Sequence, residues 1–434
     1  MVSAPSRPAP FRLTAKTARE LVAAYGSPLY VVDEAGFRLR IRAYIQAFRA
    51  AYPNSKISYA SKANSTLALI AIAAQEGCGI DVASEGELRA ALAAGVSASQ
   101  CHLHGNNKLH GELEFALESG VGQIVVDHFG EIETIASLGG HQTDLVLRLA
   151  PGVDPITHAK ISTGQSDTKF GFNIVDGSAE KATLRCLELG LNLVGFHCHV
   201  GSQLLDPEAQ RAGGEFIAKF AVEMRRRHGF SATYLNVGGG LGAQYTDEDR
   251  PMAVEEYCQL VVQSVLKALD GSDLAPTLAQ EPGRSLIAEA GVTLYTVGVV
   301  KTVPATGIGH RTYVCVDGGL SDNPRPALYG ARYPVERVSD SVEANAMVVT
   351  VSGRHCESDK LFEDVLLPAD IRAGDLIQVG TTGAYNASMA SNYNRFTRPA
   401  TALLRPDGSH LLIQRRETWD EMLAREIVPA ELMV

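Results

Sequence analysis

Four short runs carry side chains suited to chemistry rather than packing. YASKAN (59–64) ends an apolar stretch on Lys62. Most lysines keep the ammonium in water and only the stem against the protein, so Lys62 is either a surface residue or a nucleophile. GFHCHVGSQ (195–203) alternates so that His197 and His199 share one strand face and Cys198 takes the other. LNVGGGLG (235–242) places Gly238, Gly239 and Gly240 after a strand, where backbone without side chains can turn N–H groups toward a phosphate. A tight turn would use the same glycines, and the run matches neither the dinucleotide G-x-G-x-x-G nor the P-loop. AQEPGR (279–284) sets Glu281 and Arg284 past another strand, an acid for a cationic or protonated partner and a guanidinium for an anion.

The two histidines lack a third ligand at zinc-signature spacing, so no metal is expected. An imidazole can also lie flat on an aromatic ring. A lysine, a phosphate cradle, an acid and a flat-lying histidine together suit pyridoxal 5'-phosphate, which is held by a lysine Schiff base with an acidic partner at the pyridine nitrogen.

These residues need a scaffold that gathers strand ends. Eight β-rich runs recur between residues 56 and 283: KISYASK, GIDVAS, QCHLHG, QIVVDH, LVLRLA, LVGFHCHV, ATYLNVG and TLAQEPG. Between most of them lie stretches such as EGELRAALAAG, with apolar residues three and four apart and a closing glycine. Strand and helix repeated eight times predict a (β/α)8 barrel, with a doubly wound open sheet as the alternative. The polar clusters stand at the strand ends, including His104 to Lys108 and Arg148 to His158. A barrel would bring them to one rim.

After residue 290 the pattern changes to short alternating segments with Gly, Asp and Pro turns, which predict a mainly antiparallel β domain. The expected organisation is an N-terminal segment (1–35) whose SPLYVVD strand joins the β domain, a barrel (36–290) and a C-terminal β domain (291–434).

The 434 residues exceed one ordinary core, and a formal charge of -10 gives no general attraction to a polyanion, so nucleic acid is excluded as the expected partner. Seven cysteines, few and mostly within apolar runs, predict reduced thiols and a cytoplasmic protein. No apolar run is long enough for a membrane span.

From GSPLYVVDE (26–34) to QRRET (414–418) the chain resembles the fold-type III pyridoxal phosphate-dependent decarboxylases of basic amino acids, most closely the diaminopimelate decarboxylase family. The ordered matches include YASKAN, DVASEGEL (81–88), HGNNK (104–108), the run 148–172, GFHCHVGSQ, NVGGGLG and EPGR. They continue through VDGGLSDNPRPALYGA (316–331), GRHCES (353–358) and GAYNASMASNYN (383–394).

The resemblance implies that Lys62 carries the cofactor and His199 stacks on its ring. Ser202, Gly238 to Gly240, Arg284 and Tyr385 hold the phosphate, and Glu281 keeps the ring nitrogen protonated. Cys356 reprotonates Cα from the other subunit of a homodimer with shared sites. Arg325 and Tyr329, helped by Arg284 and Tyr385, clamp the distal carboxylate, and Glu357 meets the distal ammonium. The implied reaction turns meso-2,6-diaminopimelate into L-lysine and carbon dioxide, the last step of lysine biosynthesis. Alternatives are a decarboxylase of a carrier-linked, ornithine-like or siderophore-precursor amino acid, a racemase, or a non-catalytic binder of the cofactor. One departure bears on this choice: the family's CESGD reads CESDK here, putting Lys360 where the family has aspartate.

Overall fold

The computed structural model describes residues 8–150, 168–307, 309–340, 345–358 and 360–433. The chain divides into two compact units, one built on Gly36–Ile287 and the other on Pro10–Ala35 with Ala288–Val434.

The first unit is a closed parallel barrel. Its strands are Ser55–Ala60, Gly79–Val82, Cys101–Leu103, Gln123–Val126, Asp144–Ala150, Leu193–His197, Tyr234–Asn236 and Thr277–Gln280. Each pairs in parallel with the next, and the first pairs with the eighth through Ser55 opposite Leu278, so no edge remains. This closure rules out the open doubly wound alternative. QIVV of the fourth strand is buried throughout, as expected for strands covered on both faces. The covering helices include Glu85–Ala93, started by Ser84, whose side chain accepts from the Glu87 N–H at 3.2 Å. Several strands end earlier than the sequence pattern predicts: the first stops at Ala60, not Lys62, and the sixth stops at His197. His197 and His199 therefore do not share a strand, because the chain leaves the ladder between them.

The second unit is a sheet in the order Phe362–Pro368, Ala346–Ser352, Gly309–Val316, Gly291–Ala305, Leu29–Asp33, Ala400–Leu404 and His410–Gln414, with Leu376–Val379 and Val335–Arg337 branching from it. The pairings are antiparallel except where Leu29–Asp33 meets Ala400–Leu404 and Gly309–Val316 meets Ala346–Ser352. Leu29 and Val31 face Leu13, Leu21, Val292, Leu294 and Ala402 in one apolar cluster, which ties the early strand into this sheet. Burying a side chain of this size contributes roughly 1.5–3 kcal/mol.

No helix among the described residues is long and apolar enough to cross a membrane. All seven cysteines are free, and Cys356 is the exposed one.

Candidate active site

Lys62 lies in the single turn Ser61–Ala63, exposed between two buried neighbours. The turn is pinned to the exit of the eighth strand. The Ala60 N–H donates to Pro282 O at 3.2 Å, and a Cβ on Gly283 would stand 3.1 Å from the Cβ atoms of Ala60 and Ala63. A larger residue at 283 would push the lysine turn away. The Lys62 charge contributes to the electrostatics of Asp81, His197 and His199.

Glu281 is the centre of that cluster. Its Oε2 is 3.1 Å from His197 Nε2, its Oε1 accepts from Asn236 Nδ2 at 2.6 Å, and His104 Nε2 stands 3.0 Å from Oε1. Burial alone would raise the carboxyl pKa, but His104 and His197 outweigh it and hold the group well below the usual range. Burial lowers the pKa of His197, with the Glu281 charge opposing. Asp81, 3.5 Å from the same His104 nitrogen, is pushed up to about 6 by burial, with His104 opposing.

The three glycines lie where side chains do not fit. A Cβ on Gly239 would stand 2.3 Å from Glu281 O, and one on Gly238 would stand 2.5 Å from Cys198 O. Gly238 and Gly240 have φ of 70° and 148°. Two of the three N–H groups are committed: Gly238 donates to Asn236 Oδ1 at 2.9 Å and Gly239 to His199 Nδ1 at 3.3 Å. The second bond fixes the His199 ring at the rim with Nδ1 as acceptor. Burial, then the charges of Lys62 and Arg148, keep that ring neutral.

Beside the turn, Arg284 Nε donates to Ser202 Oγ at 3.2 Å and Nη1 to Tyr245 OH at 2.6 Å. A hydroxyl, a buried guanidinium and a glycine turn suit the phosphate of pyridoxal phosphate, a carboxylate held ionised suits its ring nitrogen, and a lysine at a strand end suits its aldehyde.

Two other lysines are less suited to the aldehyde. Lys108 Nζ is buried and saturated by Gly105 O at 2.9 Å, Val125 O at 2.7 Å and the Glu131 carboxylate. Lys169 lies 5.0 Å from the Phe170 ring centroid.

In the second unit, Arg325 and Tyr329 share the short helix Arg325–Tyr329. The buried Arg325 guanidinium lies 5.1 Å from the Tyr329 ring centroid and 5.5 Å from that of Tyr385, and its Nε has no hydrogen-bond partner among the described residues. Tyr385 adopts a φ of 60°. Cys356 and Glu357 lie on an exposed segment, where the Cys356 N–H donates to Asn394 Oδ1 at 2.8 Å and Tyr393 OH donates to the Glu357 carboxylate. Lys360 is paired with Glu363. Residues 151–167 of the matched run, and Asp359 of CESDK, lie outside the described residues.

Sequence reading missed His104, Asn236 and Asp81 as partners of this cluster and Tyr245 as a partner of Arg284. His104, His197 and Glu281 also bring three ligating atoms within 4.8 Å, a grouping that the His-Cys-His spacing alone did not reveal. The signal for His104 was its place at the end of the third predicted strand, which puts it on the same rim.

A parallel barrel with a lysine, a buried acid and a glycine turn beside a buried arginine at its strand ends is the frame of a pyridoxal phosphate-binding barrel. Residues 38–288 match the family described as pyridoxal-dependent decarboxylase, pyridoxal binding domain. The chain is 44% identical over 410 residues to the diaminopimelate decarboxylase of Bacillus subtilis (strain 168), covering 93% of this chain and 92% of the relative. It is 42% identical over 433 residues to that of Synechocystis sp., covering 95% and 89%. The solved diaminopimelate decarboxylase of M. jannaschii in co-complex with L-lysine matches with a TM-score of 0.88 and 34% identity, covering 96% of this chain and 95% of that one. The chain belongs to the diaminopimelate decarboxylase family of fold-type III pyridoxal phosphate-dependent decarboxylases.

Proposed function

We propose that this enzyme decarboxylates meso-2,6-diaminopimelate to L-lysine. The observation that carries the substrate is Arg325, a buried guanidinium flanked by Tyr329 and Tyr385 with its Nε unbonded among the described residues. A buried cation with an unspent donor calls for an anion. The distal carboxylate of diaminopimelate supplies one, whereas ornithine and lysine offer only an ammonium at that end. The solved relative holding L-lysine contains the product expected of this reaction. The Lys360 ammonium of CESDK is paired with Glu363, which Arg311 also approaches at 3.4 Å.

When bound, pyridoxal phosphate supplies the electron sink for the pair left at Cα as carbon dioxide departs. In this reading Lys62 holds the cofactor covalently between turnovers, and Ser202, the glycine turn, Arg284 and Tyr385 hold its phosphate. His199, fixed by Gly239, covers the ring face. Glu281 holds a proton on the ring nitrogen, for which a carboxylate kept ionised is required. Arg325 and Tyr329 orient the distal carboxylate, and Glu357 takes the distal ammonium. Cys356 delivers the proton that replaces the lost carboxylate. An acid at position 281 disfavours the racemase reading, because a weaker partner at the nitrogen would suit racemisation.

We also assign the barrel domain to 36–290, the β domain to 291–434 and residues 1–35 to a segment joining it. A homodimer in which the partner's Cys356 and Glu357 complete each site accounts for catalytic motifs in both halves of the chain. A cytoplasmic setting is supported by seven free cysteines.

The test is Arg325→Met. It should raise KM for diaminopimelate by at least about 10²-fold, the loss of a buried charge-assisted pair, with a smaller change in kcat. An unchanged KM would remove the distal-carboxylate assignment.

A further inference from the structure

Glu281 is surrounded more completely than a single contact to a ring nitrogen requires. His197 and Asn236 reach its two oxygens at 3.1 and 2.6 Å. His104 Nε2 adds an approach of 3.0 Å to Glu281 Oε1 and of 3.5 Å to Asp81 Oδ1, and makes a directed hydrogen bond to neither. The two imidazoles meet edge to face, with centroids 5.0 Å apart and planes at 73°. All five groups are buried.

One imidazole nitrogen facing two carboxylate oxygens must carry its hydrogen there. A bare lone pair in that place would repel both acceptors in a medium of low dielectric. Two hydrogen-bond partners and a third nitrogen at 3.0 Å around one acid also describe a carboxylate being held, since the Asn236 amide group donates and would not ligate a cation through nitrogen.

We infer that His104 is a positioning residue for Glu281: its Nε2–H, shared between Asp81 and Glu281, links the ends of the second, third and eighth barrel strands and keeps the Glu281 carboxylate aimed and ionised. The inference rests on the reading that Glu281 serves the cofactor's ring nitrogen. His104 touches neither substrate nor cofactor in this role. Asp81 gives the same nitrogen a second carboxylate neighbour, 3.5 Å away.

The experiment is a double-mutant cycle in the holoenzyme between His104→Asn and Glu281→Gln, with His104→Gln as the replacement should the first variant fail to fold. Alongside it, the proton on His104 Nε2 is followed by NMR of histidine-labelled holoenzyme. His104→Asn should lower kcat about tenfold or more while KM and cofactor affinity stay within about threefold, and should cost little further in the Glu281→Gln background, because coupled residues are not additive. The Nε2 proton should resonate downfield and shift on either Asp81→Asn or Glu281→Gln. Losses that multiply in the double variant, or an Nε2 without a proton, would overturn the inference. A Glu281→Gln enzyme with undiminished kcat would instead remove the underlying reading of Glu281, and this inference with it.

Discussion

Gly239 lies so close to Glu281 that a β-carbon on the glycine would sit 2.3 Å from the glutamate's carbonyl oxygen. The turn proposed to cradle the phosphate and the loop that presents the acid are thus packed backbone to backbone. Gly239→Ala should separate them. The expected result is a destabilisation of about 1–3 kcal/mol, typical of overpacking, together with weaker cofactor binding. Thermal unfolding with and without added cofactor measures both, and an unperturbed Tm would show that the loops yield freely.

Lys62 should matter for chemistry and not for stability, since it is the exposed residue between two buried neighbours. Lys62→Ala should keep its Tm and lose the visible absorbance of lysine-bound cofactor together with nearly all turnover. Retention of both would move the covalent link to another lysine, against the saturated surroundings of Lys108.

The barrel was legible in the sequence because parallel strands covered on both faces must be apolar runs, and all eight such runs became strands. Strand ends were less legible. Lys62 and His199 continue the alternating pattern, yet the ladder stops at Ala60 and His197, and periodicity does not report where hydrogen bonding ceases. Glu281 could be singled out by its place beside Arg284, but its partners could not. His104, His197 and Asn236 stand at the ends of three different strands, and only barrel closure brings them to one carboxylate. Likewise, the order of the second sheet puts Leu29–Asp33 between strands more than 250 residues later in the chain, which no local pattern encodes.

Asp322 gives the second unit a pH dependence. The Tyr295 hydroxyl and the Gly319 N–H both donate to its carboxyl, the latter at 2.7 Å, and Tyr30 OH donates to its carbonyl oxygen at 2.6 Å. Burial pushes this carboxyl up to about 7. A folded value above the unfolded one, about 3.9, means the stabilisation is complete below pH 4 and is lost as pH rises through about 7. The wild-type Tm should therefore fall by more between about pH 4 and pH 7 than that of Asp322→Asn. Parallel curves in calorimetry would assign the fall to other groups.

The proposed sharing of sites across a homodimer predicts complementation. Lys62→Ala and Cys356→Ala, each inactive alone, should on subunit exchange form heterodimers with one intact site, recovering up to about one quarter of wild-type activity on statistical mixing. No recovery in verified heterodimers would place both residues' work within one chain.

The substrate is tested most directly by carbon dioxide release from the holoenzyme over a panel of meso-diaminopimelate, L-lysine, L-ornithine and L-arginine, with the amino-acid product identified. Arg325 as a clamp on the distal carboxylate predicts one L-lysine per carbon dioxide from meso-diaminopimelate, and a kcat/KM at least about 10³-fold lower for the other three, which leave a buried polar group unpaired. Comparable or faster release from ornithine or lysine, or none from diaminopimelate, would contradict the assignment.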